Sequence, residues 1–582
     1  MRQSIEWMVG GQQGEGIDST GELFAKTLVK YGYSVSTYKQ FMSRIKGGHS
    51  NFKLKATKER NYYAGDKIDI LLCLDKESLE VNEGYLSDDA VVIREGKEIS
   101  VTKNDGSMSY DILTVPMKKI ATELGNPLAK NMIAIGISSA LIDLPKDLLS
   151  HFISEIFAKK GDGVIQTNIQ AVQKGYDLTN EHLSHRISSL EKSDKTDQLF
   201  ISGNEATAFG SLMAGCRFLS AYPITPASEV MEWLAKELPA VGGTVMQVED
   251  EIAGICFAIG ANYSGVRAMT STSGPGLSLK TEALGMAGMT EVPIVIVNSQ
   301  RGGPSTGLPT KHEQSDLQQM IYGTHGEIPR IVLYPATIED AFYIAAESFN
   351  LAEIYQCPVI VGLDLGLSMN KMTIPSFDHS RVNIDRGKLI TNEEAAEYDE
   401  AFFKRYRLTD DGISPRPKPG MKNGLHLTSS NEHGEDGYIS EDPELRVKMM
   451  RKRLEKVKNA MIQEPFKLQS SGDIKPEDAD VLLVGMGSTY GAIGESMIQL
   501  NEEGNETYAH LHIQQLYPLP LNELTSLFKN KKIITVENNY NGQLLLLLRQ
   551  YLPIHEHSDS IVQFDGNPFM IKTVLEQMKK VV

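Results

Sequence analysis

Hydrophobic and polar positions follow two alternating patterns along this chain, and together they predict an α/β protein. An apolar run at 5–9 is followed by a glycine-rich segment at 10–16 and by an apolar face at helical spacing over 17–31. The same succession recurs after 199 and again after 481. Strands that alternate with helices pair in parallel. The pattern therefore predicts sheets of parallel strands covered by helices.

Polar segments without an apolar period divide the chain. A chain of 582 residues is too long for one core, and a segment such as RISSLEKSDKTDQ cannot offset the entropy of ordering. The pattern is also weak between two of the α/β stretches, where a charged helix is the main feature. We predict α/β domains at 1–185, 199–378 and 473–582, a linker at 186–198, and a connecting arm and helix at 379–472.

Four loop-type segments between 222 and 316 predict a ligand site. They are Tyr222-Pro-Ile-Thr-Pro226, Glu249-Asp-Glu251, Thr270 to Gly276 and Arg301 to Thr310. Each follows an apolar run, and an open α/β sheet places its ligand-binding loops at the carboxyl ends of such strands. The two prolines of the first segment fix the backbone and hold Thr225 in one direction.

Two charged residues of these loops are candidates for chemistry. Stabilisation of a helix dipole explains one or two of the acids at 249–251. It explains Glu251 less well, because the small residues Ala253, Gly254 and Ala258 that follow imply close burial. Arg301 ends an apolar run, and a guanidinium pairs with a carboxylate through two parallel hydrogen bonds. Arg301 therefore predicts a ligand that carries a carboxylate.

Two loops of the first domain are candidates for anion binding. The glycines at 10–16 expose backbone N–H groups at a helix start, but the segment departs from the GxGxxG pattern. Close packing of strand and helix explains these glycines equally well. The second loop, at 44–51, contains the cations Arg44 and Lys46, and a charged loop is more often only solvated. Both interpretations stay open for each loop.

Composition excludes several classes of function. The net charge of −17 would repel nucleic acids and anionic membrane surfaces. The four cysteines are far apart and form no CxxC motif, which argues against a disulfide framework and against a zinc or iron–sulfur site built by this chain alone. We expect each to be a buried apolar residue. The sequence has no signal-peptide pattern and no membrane-length apolar run, so we expect a cytoplasmic protein.

The motifs resemble those of the α subunit of 2-oxoacid:ferredoxin oxidoreductases, and the 2-oxoglutarate branch is the most similar. The first domain resembles the γ domain of that family, fused here to the α portion, and the last resembles its transketolase C-terminal-like domain. The resemblance extends over the whole chain. The segments that carry it are 10–16, 44–51, 222–226, 249–253, 271–276, 301–307, 313–317, 485–488 and 537–539.

The resemblance implies oxidative decarboxylation of 2-oxoglutarate or a related 2-oxoacid with coenzyme A, giving an acyl-CoA and CO₂ and passing electrons to ferredoxin. Thiamine diphosphate would be shared between two subunits, and residues 199–378 would be its pyrimidine-binding domain. A β subunit would hold the diphosphate, Mg²⁺ and a [4Fe-4S] cluster, with no metal bound by this chain. The expected assembly is an α₂β₂ heterotetramer.

The resemblance also implies roles for individual residues. Glu251 would hydrogen-bond the aminopyrimidine ring as a catalytic group, and Thr225 and Arg301 would hold the 2-oxo and carboxylate groups of the substrate with Thr310 nearby. The residues expected to border the cofactor are Tyr222, Pro223, Ile224, Thr225, Glu251, Ser273 and Gly274. The residues expected to position coenzyme A or close the site are Arg44, Lys46, Gly47, Gly48 and His49.

Two other functions stay open at this point. A self-contained thiamine diphosphate enzyme of the transketolase or decarboxylase type needs a GDG…N motif in this chain. Gly161-Asp-Gly163 is the only such tripeptide, and it lacks an asparagine at a suitable distance. A non-catalytic subunit that binds a partner complex through its acidic surface is the second alternative.

Overall fold

The computed structural model describes residues 4–43, 47–103, 110–183, 187, 190–193, 198–398, 402–504 and 506–581. The chain forms two compact units. The first contains residues 1–201 and 370–376, and the second contains residues 202–369 and 377–582.

Strands and helices alternate in the N-terminal part of the chain. The strands are β1 (Ser4–Gln12), β2 (Ser34–Gln40), β3 (His49–Thr57), β4 (Ile68–Cys73), β5 (Leu86–Glu95), β6 (Ser100–Thr102), β7 (Asp111–Val115) and β8 (Gln198–Ser202). The helices are α1 (Ile17–Lys30), α2 (Glu77–Asn82), α3 (Met117–Glu123), α4 (Lys130–Leu141), α5 (Lys146–Phe157) and α6 (Asp162–His182).

The same alternation continues through the middle of the chain. The helices are α7 (Gly203–Met213), α8 (Ser228–Glu237), α9 (Glu251–Tyr263), α10 (Gly274–Met289), α11 (Leu317–Tyr322), α12 (Ile338–Tyr355) and α13 (Leu365–Met369). The strands are β9 (Phe218–Ala221), β10 (Thr244–Gln247), β11 (Ala268–Thr272), β12 (Ile294–Ser299), β13 (Ile331–Leu333), β14 (Pro358–Leu363) and β15 (Lys371–Pro375).

The C-terminal part begins with irregular structure and ends in a further α/β segment. Its helices are α14 (Asn392–Ala396), α15 (Pro443–Glu455), α16 (Thr489–Glu503), α17 (Leu521–Phe528), α18 (Gln543–Tyr551) and α19 (Ile571–Val581). Its strands are β16 (Phe466–Gln469), β17 (Val481–Gly485), β18 (Tyr508–Ile513), β19 (Gln515–Tyr517), β20 (Lys532–Glu537) and β21 (Ser558–Val562).

The first unit is built on a nine-stranded sheet with the order β6-β7-β5-β4-β1-β3-β2-β15-β8. Its strands are not all parallel, because β3 pairs antiparallel with both β1 and β2. Trp7, Phe24 and Phe52 are fully buried in its core. Residues 370–376 belong to this unit, whereas the sequence assigned them to the second domain. The reason is that β15 pairs with β2, and Val35 N donates a 2.9 Å hydrogen bond to Thr373 Oγ1.

The second unit contains two sheets. The larger has the order β10-β9-β11-β12-β14-β13-β19, with parallel pairing from β10 to β13 and one antiparallel edge strand, β19. The smaller has the order β16-β18-β17-β20-β21 and is parallel except for β16. Every residue of β12 and of β14 is buried, as expected for parallel strands covered on both faces. The predicted α/β class is confirmed, while the finer division into domains stays a prediction.

Helices α5 and α6 of the first unit are separated by a short break. The break lies at Gly161, whose φ of 89° is in the left-handed region that glycine adopts without strain. The tripeptide Gly161-Asp-Gly163 therefore begins a helix in the first unit, which is an ordinary structural role.

Candidate functional site

The four predicted loops lie at one edge of the seven-stranded sheet. Strands β10, β9, β11 and β12 are consecutive neighbours and pair in parallel. Their carboxyl ends therefore lie at the same edge, which is where open α/β sheets bind ligands. Segment 222–226 follows β9, 249–251 follows β10, and 301–310 lies beyond the end of β12. The predicted loop at 270–276 is shorter than expected, because 270–272 end β11 and 274–276 begin α10.

Arg301 joins two of these loops. Its Nη1 donates a 2.8 Å hydrogen bond to the main-chain carbonyl of Thr225, and its Nη2 donates a 3.4 Å bond to the carbonyl of Thr306. The residue is only 8% exposed, and burial lowers the pKa of its guanidinium. The Nε–H group is buried and has no partner in the described structure. The structure thus brings the predicted Thr225 and Arg301 together.

Glu251 is held against the first turn of α10. It begins α9, and the preceding Asp250 caps that helix by accepting a 2.7 Å hydrogen bond from Ala253 N. Glu251 itself is only 7% exposed. A Cβ at Gly276 would lie 2.7 Å from Glu251 Cγ and 2.8 Å from its Oε1, so the Glu251 side chain crosses that glycine. Stabilisation of the helix terminus therefore explains Asp250 but not the buried Glu251.

Asp316 is a member of this site to which the sequence analysis gave no role. Its Oδ2 accepts a 3.0 Å hydrogen bond from Asn298 Nδ2 at the end of β12. A Cβ at Gly274 would lie 2.7 Å from the same oxygen, so the carboxyl group lies against the start of α10. Burial raises the pKa of Asp316 to about 6. The only sequence signal was its place in the motif at 313–317.

Several buried polar atoms at this edge have no hydrogen-bond partner in the described structure. They include Ser273 Oγ, Asn298 Oδ1 and Arg301 Nε. Because buried polar groups are normally hydrogen-bonded, three such atoms at the carboxyl ends of β11 and β12 fit a polar ligand. Together with the acceptors of Glu251, they offer donors and acceptors of the kinds that a heteroaromatic ring and a 2-oxoacid require.

The other predicted site residues border this edge. Tyr222 is 41% exposed, whereas Thr310 is 8% exposed. Pro223 and Ile224 are half-buried, and Gly274 is now seen to be the first residue of α10. Contacts of these residues with a ligand stay predictions.

The predicted coenzyme A loop is described only in part. Arg44 and Lys46 lie outside the described residues. Gly47 and Gly48 have φ angles of 81° and 84°, and both bond to the main chain of Gln13 in the glycine segment. The two candidate anion loops of the first unit are therefore neighbours, which the sequence did not reveal.

His49 belongs to a second group that sequence reasoning missed. Its ligand atoms and those of Asp75 and Glu77 all lie within 4.8 Å of one another. His49 Nε2 lies 2.9 Å from Asn51 Oδ1. His49 is 26 positions before Asp75 in the chain, whereas Asp75 and Glu77 belong to one segment, so no motif indicated the group.

Three of the four cysteines are buried, as the sequence analysis expected. Cys73, Cys216 and Cys357 are buried, and burial raises the pKa of each thiol to about 12. The expectation was wrong for Cys256, which is exposed on α9. In the described part of the chain, we find no helix with the length and apolar character needed to span a membrane.

Comparisons with known proteins agree with this geometry. A family model described as pyruvate flavodoxin/ferredoxin oxidoreductase, thiamine diphosphate-binding, matches residues 210–452. A model described as pyruvate ferredoxin/flavodoxin oxidoreductase matches residues 6–178. The chain is 34% identical to a solved 2-oxoglutarate:ferredoxin oxidoreductase from Magnetococcus marinus, with a TM-score of 0.92 and coverage of 100% of both chains. That structure contains 2-oxoglutarate, coenzyme A and succinyl-CoA.

Two relatives extend the similarity. The 2-oxoacid:ferredoxin oxidoreductase subunit alpha of Sulfolobus sp. is 35% identical over 99% of this chain and 97% of its own length. The 2-oxoglutarate oxidoreductase subunit KorA of Mycobacterium tuberculosis is 32% identical over 94% of this chain and 88% of its own length. Because these matches span nearly the whole of each protein, the chain belongs to the 2-oxoacid:ferredoxin oxidoreductase family, as an α subunit.

Proposed function

We propose that this chain is the α subunit of an enzyme that oxidatively decarboxylates 2-oxoglutarate, or a related 2-oxoacid, with coenzyme A and reduces ferredoxin. The products would be an acyl-CoA and CO₂. The full-length similarity to a 2-oxoglutarate:ferredoxin oxidoreductase with 2-oxoglutarate and coenzyme A bound supports this choice of substrates. Ferredoxin as the acceptor is supported by the names of the relatives.

The observation that carries the proposal is the arrangement of Arg301. Two main-chain carbonyls hold its terminal nitrogens, and its buried Nε–H is left without a partner. A buried donor without a partner is unfavourable by about 1–3 kcal/mol. A substrate carboxylate would accept from this group, and the nearby Thr225 would bind the 2-oxo oxygen. Thr310 would complete the pocket.

The site fits thiamine diphosphate. Glu251 would hold a proton at the pyrimidine ring nitrogen, since its buried side chain is fixed over Gly276. Ser273 Oγ and Asn298 Oδ1 provide further unpaired polar atoms, and Tyr222 to Thr225 and Gly274 would line the ring. When bound, the cofactor supplies the nucleophilic carbon and the electron sink that loss of CO₂ from a 2-oxoacid requires. The protein contributes orientation, exclusion of water and placement of protons.

The rest of the active site would come from a β subunit in an α₂β₂ assembly. That subunit would bind the diphosphate, Mg²⁺ and a [4Fe-4S] cluster. The four cysteines of this chain are far apart in sequence, and three of them are buried, which supports placing the cluster on a partner. Gly47, Gly48 and His49, with Arg44 and Lys46, would contact coenzyme A.

Reconstitution tests this proposal. The chain is expressed alone and together with a β-type partner, and reduction of ferredoxin or of a viologen dye is measured with a panel of 2-oxoacids. We expect no activity from the chain alone and coenzyme A-dependent activity from the pair, highest with 2-oxoglutarate. Activity of the isolated chain would favour a self-contained thiamine enzyme. An inactive pair with a competent partner would contradict the proposal.

A further inference from the structure

Lys280 is a fully buried lysine beneath Glu251. It lies on α10 with 0% of its surface exposed. Its Nζ donates a 2.7 Å hydrogen bond to the main-chain carbonyl of Glu251. Gly254 faces the same ammonium group, since a Cβ there would lie 3.4 Å from Nζ. Among the described residues, no carboxylate forms a salt bridge with Lys280 within 4.0 Å.

This placement is unfavourable for folding. Burial of an ammonium group without a paired carboxylate is strongly unfavourable, and the start of α9 carries the positive end of a helix dipole. Lys452 and Lys456 show the usual solution, since both are buried and lie 2.6 and 2.7 Å from the carboxylate of Glu291. Lys280 has no such partner, so stability does not explain its position.

The surroundings of Lys280 indicate that role. The titratable groups that face it are the carboxylates of Glu251 and Asp250 and the thiol of Cys256, all from α9 or its cap. Burial lowers the pKa of Lys280 to about 8, against the attraction of the two carboxylates. The ammonium form therefore predominates at pH 7 and places a positive charge directly under the start of α9.

We propose that Lys280 is a positioning residue that fixes the main chain at Glu251 and places a buried positive charge beside that residue. The inference rests on the proposed function, in which Glu251 holds a proton at the thiamine ring. A hydrogen bond from outside the helix fixes the residue that must face the cofactor. A buried charge, unlike a solvated one, acts through a low dielectric.

The test uses the α chain assembled with its partner and loaded with thiamine diphosphate. Lys280→Met removes the charge and the donor at similar length, and Lys280→Gln keeps a donor without the charge. The first readout is exchange of the cofactor's C2 proton into D₂O, followed by NMR. The second is the dissociation constant of thiamine diphosphate, and the third is the thermal unfolding midpoint of the chain. Lys452→Met is the matched control, because it removes a buried lysine that is paired.

We expect both Lys280 variants to slow C2-proton exchange by about tenfold or more, the range of a lost acid–base contribution. The unfolding midpoint should stay the same or rise, and KM for the 2-oxoacid should change less than about twofold. Lys452→Met should lower the midpoint and leave exchange unchanged. If Lys280→Met does not assemble, the same measurements on Lys280→Gln test the inference.

Exchange within about twofold of the wild-type rate in every folded Lys280 variant would overturn the inference. Normal exchange in Lys280→Gln alone would overturn the role of the charge. Failure of the proposed function has a different signature. In that case the wild-type assembly would not bind thiamine diphosphate, or Glu251→Gln would leave exchange unchanged.

Discussion

The guanidinium of Arg301 donates a 2.8 Å hydrogen bond to the main-chain carbonyl of Thr225, a residue 76 positions earlier in the chain. This bond joins the loop after β12 to the loop after β9. Both loops follow strands of the same parallel sheet, so the bond fixes their separation at the ligand-binding edge. The bond therefore holds together the two residues that would contact the substrate: Arg301, which would donate to its carboxylate, and Thr225, which would bind its 2-oxo oxygen.

Replacement of Arg301 by lysine should therefore do more than shorten a side chain. Lysine keeps the charge, but its donors are all on one nitrogen. It therefore cannot reproduce the separate guanidinium nitrogens that bond to the carbonyls of Thr225 and Thr306 and leave Nε–H for the substrate. We expect kcat/KM for the 2-oxoacid to fall by about 100-fold or more, measured by steady-state dye reduction in the assembled enzyme. Arg451→Lys, at an exposed position of α15, is the control. Equal kinetics of the two variants would be evidence against the substrate role.

Gly276 should be intolerant of a methyl group. A Cβ there would collide with Thr272 Oγ1 and with Glu251 Cγ and Oε1. Gly276→Ala should displace Glu251 and lower kcat by about 100-fold. Gly285→Ala is a control in the same helix, because a Cβ there would have no atom within 4 Å apart from its chain neighbours and the backbone of its own helix. Helix propensity predicts that this second change stabilises the protein by up to about 1 kcal/mol. Unaltered kcat in Gly276→Ala would contradict the position of Glu251.

Asp316 should make stability depend on pH. Burial raises its pKa from 3.8 to about 6 in the folded protein, so the folded state binds the proton more tightly than the unfolded state. Stability from this carboxyl is present below pH 3.8 and is lost as pH rises through about 6. The loss is up to about 2–3 kcal/mol. Asp316→Asn should remove it and raise the unfolding midpoint at pH 8 but not at pH 4.

The control for that change is Glu523→Gln, at an exposed position of α17. Glu523→Gln should show the same difference between the unfolding midpoints at pH 4 and pH 8 as the wild-type protein. If Asp316→Asn behaved like this control, the carboxyl would not be buried as the structure has it.

Glu291 should be essential for stability rather than for catalysis. Its carboxylate is fully buried and accepts hydrogen bonds of 2.6 and 2.7 Å from Lys452 and Lys456. These cations hold the pKa of Glu291 well below its usual range. Glu291→Gln would leave two buried ammonium groups facing a neutral amide, so we expect a loss of about 3–5 kcal/mol in denaturant unfolding. Glu455→Gln, an exposed change on α15, the helix that carries Lys452, should cost less than about 1 kcal/mol.

The sequence predicted the strands around the site well because they are continuous apolar runs. Each of the four loops was expected after an apolar run, and β9, β10, β11 and β12 precede them in the structure. The sequence could not predict that β15 joins the first unit, because the pairing of Thr373 with Val35 spans 338 positions. Five residues of strand pattern carry no information about so distant a partner.

The site itself was predicted where side-chain chemistry and loop position coincide. Thr225, Glu251 and Arg301 were all expected at this edge, and the structure brings their loops together. Asp316 and Lys280 were not expected in the site, because their significance comes from burial. An aspartate in a loop and a lysine in a helix are ordinary in sequence, and only packing against α10 and α9 makes them unusual.

The most direct test of the account is a comparison of Glu251→Gln with Glu249→Gln in the assembled enzyme. Both changes remove one carboxylate from the same tripeptide, but Glu251 is buried over Gly276 and Glu249 is exposed. The measurement is coenzyme A-dependent release of labelled CO₂ from 2-oxoglutarate at saturating thiamine diphosphate. We expect a loss of about 100-fold or more for Glu251→Gln and wild-type rates for Glu249→Gln. Wild-type rates for Glu251→Gln would contradict a catalytic role of the buried carboxyl group.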